Sequence, residues 1–526
     1  MKNKYDAIVV GGGHAGCEAA LACARRGVST LLITLKKDAI GYTSCNPSIG
    51  GIGKGQLVKE IDALGGEMAL AADASCIQYR MLNSSKGYAA RSSRMQVDRK
   101  LYNEYMLKTV LSEDNLEVLE DEVKEIVASK GVCEGVVTEK SGEVKAENVI
   151  VTAGTFMNGI IHIGLEHSPG GRIGEKPSVG LSENLSSFGF TIGTLKTGTP
   201  ARIDGDTIDF SILERQDGDE LVVPFSFASE KIRVPQKPCY LTRTNGRTHE
   251  IIENNLDRSP LYSGKIKATG VRYCPSIEDK IVRFPERDSH LVFLEPEGLD
   301  TNEYYPNGIS SSLPLDVQED MIRSIKGLEN VKMNKPAYGI EYDYVDPTQL
   351  SPLLETKTIK GLFLAGQING TTGYEEAAAL GLMAGINASC RVKGEDPVIL
   401  ERSESYIGVL IDDLVTKGTK EPYRMFTSRV EYRIILREDN ADMRLMPLGR
   451  KLGLVKEETL DKVQRKTEKI EDLKKRLSKE KSLFSGQNMP LLEQLKRPDV
   501  SCDDLPLEEP LTYYEKVQLE VDVKYA

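Results

Sequence analysis

With 526 residues, the chain is long enough for about three domains, each able to bury its own core without disulfides or structural metals. Its 79 acidic and 68 basic residues leave a formal net charge of −11, which excludes a general nucleic-acid binder held by a basic surface. Nine cysteines without a CxxC pair give neither a metal site nor a disulfide framework, and no apolar run reaches the roughly 18 residues of a membrane span, so a cytoplasmic protein with reduced thiols, no metal and no membrane contact is expected.

At the N-terminus only a short apolar run precedes three glycines, too short for a signal peptide. Residues 5–10 form a β-branched run that ends in Gly11-Gly12-Gly13-His14-Ala15-Gly16, and an Ala-rich, helix-prone stretch follows over residues 17–26. A second apolar run at 28–33 completes a βαβ unit, so the sheet starts parallel. In such a turn the first glycine makes the bend, Gly13 lets backbone approach a pyrophosphate, and Gly16 lets helix and sheet pack closely; His14 within it is expected to be structural. The second strand ends in Thr34, where these domains often carry an acidic residue for a ribose, so that contact is expected from elsewhere.

Residues 86–100 and 424–444 are the basic tracts through which RNA could be met locally; the equal alternative is a salt-bridged surface. Two further buried strands, at 147–151 and 361–367, run into Ala153-Gly154 and Ala365-Gly366. The second is followed by a Gly- and Ala-rich helix with Glu375 and Glu376 in its first turn. This whole-chain pattern favours FAD over NAD as the dinucleotide of the domain. Between the strands, runs at 207–212, 220–227 and 239–243 separated by Pro, Gly and Asp predict an antiparallel insertion. Past residue 401 the pattern is helical, and residues 456–481 carry Leu460, Val463, Ile470, Leu473 and Leu477 on one stripe, as in a solvated helix with one packed face. The expected architecture is α/β: a Rossmann-type two-part FAD-binding domain (1–201 and 283–400), an inserted, mainly β domain (202–282), and an α-helical C-terminal domain (401–526).

The stretches SCNPSIGGIGKG at 44–55, KEIDALGG at 59–66, LKTGTP at 195–200, RYCPSIEDK at 272–280, GQINGTTGYEEA at 366–377 and EPYRMFTSR at 421–429 are specific. Together they resemble the tRNA uridine 5-carboxymethylaminomethyl modification enzymes, the MnmG or GidA family, over almost the whole chain. The resemblance implies an enzyme acting on the wobble uridine of certain tRNAs with FAD, NADH as reductant, methylene-tetrahydrofolate as carbon donor, and ammonium or glycine as nitrogen source. It further implies a homodimer, a GTPase partner (MnmE), and a C-terminal domain that is short by the family's standard, with partner and tRNA binding weakened accordingly. By the same resemblance, FAD contacts fall on Gly11, Gly12, Gly13, His14, Ala15 and Gly16, on Val123, Ser178 and Gln367. NAD contacts fall on Gly270, Val271, Arg272, Tyr273, Cys274, Pro275, Ser276, Ile277, Glu278, Asp279, Lys280, Ile281, Val282, Arg283 and Phe284. Tyr88 and Ala201 depart from the family, which has proline at both places; this concerns loop stiffness rather than chemistry.

The implied catalytic residues are Cys45 and Cys274. Uridine C5 is a poor nucleophile until something adds at C6, and a thiolate can do so. Cys45 lies in a Gly-rich stretch able to present amides, and Cys274 has Arg272 and Lys280 nearby in sequence. Two alternatives compete: a folate- and FAD-dependent tRNA uridine methyltransferase, usually shorter and without the helical continuation after 401, and a non-catalytic FAD-bound scaffold, which would need no thiols in these motifs.

Overall fold

The computed structural model describes residues 2, 4–266, 268, 275–484 and 486–525. Its centre is a five-stranded, fully parallel sheet in the order Leu362–Leu364, Val149–Val151, Ala7–Val10, Thr30–Thr34, Leu116–Glu120. Val9 sits level with Ile150 on one side and Leu32 on the other. Apart from Val10 and Thr34 at the strand ends, which stay nearly so, the residues of the three inner strands are fully buried, as a sheet covered on both faces requires. The second strand begins at Thr30, two residues later than the apolar run suggests.

Helix His14–Arg25 lies against helix Tyr374–Lys393 with almost no side chain between them. A Cβ on Gly381 would stand 2.0 Å from the Ala15 carbonyl oxygen, and one on Gly385 2.5 Å from that of Ala19. Gly381→Val is therefore expected to lower stability by about 3 kcal/mol, the upper range for overpacking against backbone that cannot step aside. Thermal unfolding of the variant checks this; an unchanged melting temperature would show that the helices can separate at no cost.

Three antiparallel sheets surround this centre. Ser48–Gly50, Ser92–Val97 and Cys76–Leu82 form one; Glu166–Pro169, Ile160–Ile163, Tyr338–Val345 and Ile192–Thr199 form another, with Ile192–Thr199 at its edge. The largest has six strands, in the order Glu214–Gln216, Cys239–Arg243, Leu291–Pro296, Glu303–Asn307, Arg202–Asp204, Met333–Lys335. The apolar cluster beneath it gathers residues from Ala201 to Ala337, on both sides of Val282.

Of the three β-prone runs in this region only 239–243 is a strand. Residues 205–212 form two short 3-10 turns, and 220–227 is not a strand because its amides are taken elsewhere. Phe225 and Ser226 donate to the buried Asp73 carboxylate (2.6 and 2.9 Å), and Phe227 to Asp62 (2.8 Å), while Val223 and Phe225 are buried in the main core. Beyond residue 401 the chain is mainly helical, with one small hairpin, Lys481–Phe484 with Gln487–Pro490. Helix Glu457–Leu477 buries Val463, Ile470, Leu473 and Leu477, and the last three pack with Leu491, Leu495, Leu519 and Val523. Among the described residues no helix is long and apolar enough to cross a membrane.

Candidate functional site

A cavity of about 550 Å³ opens at the carboxyl ends of the parallel strands. Its wall takes residues that follow each strand: the glycine turn after Val10, Thr34 and Lys36, Asp121 to Val123, Thr152 to Phe156, and Gln367. This is where open α/β sheets bind ligands, and the volume lies within the range of cofactor sites.

The turn is built as its glycines dictate. Gly11 has φ +104°, and a Cβ there would stand 2.6 Å from the Thr152 carbonyl oxygen. Thr152 Oγ1 donates to the carbonyls of Val10 (2.8 Å) and Gly11 (3.0 Å), stitching the turn to the next strand. Gly16 lies behind the turn, where a Cβ would come within 1.8 Å of the Gly11 oxygen. Gly13, in contrast, points its missing Cβ into open space, and no side chain caps the helix that starts at His14. Free amides of a twelve-residue helix thus meet open space at a turn without side chains, the cradle that accepts a pyrophosphate. His14 is buried between Tyr102 and Tyr374, and its Nε2 has no hydrogen-bond partner, although the residue lines the cavity. Burial lowers its pKa to about 4, so the imidazole is neutral at pH 7. The neutral ring keeps one buried nitrogen without a hydrogen-bond partner beside the glycine turn.

A second helix, Tyr374–Lys393, also starts at the cavity without a side-chain cap. Glu375 and Glu376 in its first turn are buried and meet Lys54 Nζ at 2.9 and 3.1 Å, and Glu375 also accepts the Gly50 amide at 2.7 Å. Burial opposes ionisation of Glu375, yet Lys54 and the amides outweigh it and hold the carboxyl below its ordinary range. Its contribution to stability is therefore present above the ordinary carboxylate pKa and lost as pH falls through the lowered value. Lys54→Met is expected to destabilise the fold by about 3–5 kcal/mol, because it leaves two carboxylates buried without their cation. Urea unfolding at pH 7 measures it; a loss below about 1 kcal/mol would mean water replaces the lysine.

Cys45 lines the same cavity. Its amide donates to Tyr374 Oη (2.6 Å), and its carbonyl accepts from Arg99 and from Arg202 (2.8 Å). Both arginines pair with Glu297, which fixes the backbone of this residue from two sides. The Cys45 sulfur lies 3.4 Å from Tyr305 Oη and 3.9 Å from the Gly198 carbonyl. Among the described cysteines it alone is partly exposed. Burial pushes the thiols of Cys23, Cys76, Cys239 and Cys502 up to about 12 and Cys133 to about 11, and raises Cys17 and Cys390 as well. Those seven are inert side chains of the core.

Gly11, Gly12, Gly13, His14, Ala15, Val123, Ser178 and Gln367 all face this one cavity, and Gly16 supports it from behind. Gly270, Val271, Arg272, Tyr273 and Cys274 lie outside the described residues. Ser276 caps helix Ile277–Arg283, whose Ile277 and Ile281 are buried in the core of the six-stranded unit while Val282 and Phe284 are exposed. Ser276 and Asp279 face a separate small chamber rather than the main cavity. In the basic tracts Arg94, Arg99, Arg437 and Arg444 are held in ion pairs with Glu295, Glu297, Asp439 and Glu60, whereas Arg424 lines the cavity and Arg433 is exposed. Sequence reasoning did not find Lys54, Tyr305, Arg202 or Glu297. Lys54 stands in a quoted motif between two glycines, a signal that could have marked it; Tyr305 had none.

The glucose-inhibited division protein A family matches residues 6–396. The tRNA uridine 5-carboxymethylaminomethyl modification enzyme MnmG of Geobacter sulfurreducens is 55% identical over 543 residues, covering 100% of this chain and 87% of that protein. Its namesake from a Nitratiruptor species is 58% identical over 494 residues, covering 94% and 79%. The solved structure of Aquifex aeolicus GidA in its form I crystal is 51% identical and superposes with a TM-score of 0.94, over 99% of this chain and 88% of that one. A match of this extent, over both the glycine turn and the Cys45 wall, means that the chain belongs to the glucose-inhibited division protein A family, the family of MnmG.

Proposed function

We propose that this chain is a flavin-dependent tRNA modification enzyme that adds a carboxymethylaminomethyl or aminomethyl group to C5 of the wobble uridine. It does so with NADH as reductant, methylene-tetrahydrofolate as carbon donor and a GTPase partner of the MnmE type, as a cytoplasmic homodimer. The relatives' names support the reaction class. The observation that carries it is that a dinucleotide cradle and a partly exposed cysteine with a clamped backbone share one cavity.

FAD, when bound, supplies the redox capacity for joining and reducing a one-carbon unit. The chain's own part is to bind, orient and activate. The turn from Gly11 to Gly16 and the two uncapped helix starts offer amides to a pyrophosphate and to a reduced ring system that carries negative charge. The Cys45 sulfur is the group suited to adding at uridine C6: the S–C6 bond forms, the C5=C6 electrons move toward O4, and C5 becomes nucleophilic and bonds the one-carbon unit; loss of the C5 proton to a base or water, with elimination of the thiolate, then restores the ring. Cys274 is the second candidate for covalent or acid–base work. Tyr374, Arg99 and Arg202 act as positioning residues by fixing the Cys45 backbone.

Reconstitution tests the reading. Purified chain, FAD, NADH, methylene-tetrahydrofolate, ammonium or glycine as nitrogen donor, and the GTPase partner with GTP are expected to convert unmodified tRNA, and leaving out any one component is expected to stop conversion. Conversion that persists without flavin would overturn the proposal.

A further inference from the structure

Two polar neighbours meet the Cys45 sulfur, and each decides what the other does. The Gly198 carbonyl, 3.9 Å away, can only accept, so the S–H points at it. Tyr305 Oη, 3.4 Å away, can donate or accept. With the single S–H engaged at Gly198, the phenol O–H is left to donate to the sulfur lone pairs, and it stays a donor when the sulfur ionises.

The inserted six-stranded sheet builds this contact from three neighbouring strands. Tyr305, 4% exposed, stands on Glu303–Asn307; Arg202 opens Arg202–Asp204 on one side, and Glu297 follows Leu291–Pro296 on the other. The Arg202 guanidinium lies over the Tyr305 ring, 4.7 Å from its centre, which fixes the ring. A cation on the ring face also draws electron density out of the phenol and makes its O–H a better donor. Arg202 and Arg99 are both buried, both bond the Cys45 carbonyl, and share Glu297 as their one carboxylate among the described residues. Two guanidinium groups against one carboxylate leave positive charge beside the residue on which negative charge appears when the thiol ionises.

We infer that Tyr305 is a further catalytic residue: its hydroxyl donates to the Cys45 sulfur, holds the thiolate that adds at uridine C6, and holds it again as it leaves. Before addition the thiol proton passes to water at this partly exposed residue, and the phenol keeps its own proton. The S–C6 bond then forms, and the hydrogen bond from Tyr305 weakens as the sulfur loses its charge. On elimination the S–C6 bond breaks, its electron pair returns to sulfur, and the same O–H receives the charge. The inference rests on the tRNA reading above and adds a residue to its chemistry.

Two measurements on Tyr305→Phe test it, and the first needs no tRNA. Phenylalanine keeps the ring over Arg202 and removes only the hydroxyl. Flavin-loaded wild-type and variant chains are treated with iodoacetamide at pH 7, and mass analysis of the peptide that holds Cys45 gives its alkylation rate. Loss of a hydrogen bond to a charged acceptor lowers the share of thiolate by about tenfold. The freed thiolate is about threefold more reactive in itself, so the net rate is expected to fall by about threefold. In the second measurement each full chain, with its partner, cofactors and nitrogen donor, converts tRNA; kcat is expected to fall by about three- to tenfold while KM for tRNA stays within about twofold. The bound-flavin spectrum verifies folding, and Tyr305→Met, which also lacks a donor, replaces Tyr305→Phe should the latter lose its flavin. Alkylation that is unchanged or faster, or an unchanged kcat, in a flavin-loaded variant overturns the inference alone. No conversion by the wild-type chain overturns the tRNA reading, and the inference with it.

Discussion

Gly13→Val is expected to give a protein that folds normally and is isolated without flavin. The missing Cβ of Gly13 meets no protein atom within 4 Å, so the new side chain enters the cavity rather than the core. Its φ of −74° is one that any residue adopts, and no backbone strain is added. The isopropyl group would occupy the place a pyrophosphate needs to reach the helix amides, and affinity should fall by about 10- to 100-fold, the equivalent of roughly 1–3 kcal/mol of steric conflict. Gly16→Val is the contrasting variant, since a Cβ there would stand 1.8 Å from the Gly11 oxygen; it should lose flavin and fold together. Flavin titration and thermal unfolding of the flavin-free forms separate the two. A Gly13→Val protein that binds FAD like wild type would show that the dinucleotide lies elsewhere.

The second large effect is at the thiol. Cys45→Ser is expected to keep its flavin and lower tRNA modification by about 10³-fold or more, because a hydroxyl at this position has no base to make it nucleophilic. Its immediate neighbours are a phenol, Tyr305, and a carbonyl, Gly198, and neither takes a proton from a serine at neutral pH. Single-turnover conversion of tRNA by the two forms measures the effect. Full activity in Cys45→Ser would remove this residue from the chemistry and leave Cys274 as the thiol to examine.

The parts of this fold that were legible in the sequence are those whose cause is local. A β-branched run, a glycine turn and an Ala-rich helix announce themselves within thirty residues, and the Ala-Gly ends of the two later strands repeat the signal. The 220–227 segment was misread because β-propensity records side chains, while its backbone is organised by carboxylates at Asp62 and Asp73, about 150 residues upstream. Lys54 has the same origin: its counter-charges stand on a helix more than 300 residues later, brought close only when Tyr374–Lys393 packs beside the glycine-loop helix. Likewise Tyr305 reaches Cys45 from a strand of another sheet, and nothing at either position alone predicts the contact. His14 is packed between Tyr102 and Tyr374, both distant in sequence, so its burial and its neutral ring have no local signal either.

The central claim is that the glycine-turn cavity and Cys45 form one reaction space for wobble uridine. It is tested most directly by mass analysis of nucleosides from cells that lack the chain, cells given it back, and cells given Cys45→Ser or Gly13→Val instead. The account predicts that 5-carboxymethylaminomethyl- and 5-aminomethyluridine disappear without the chain, return with the wild-type form, and stay absent with either variant. Nucleosides that remain unchanged when the chain is removed would contradict it.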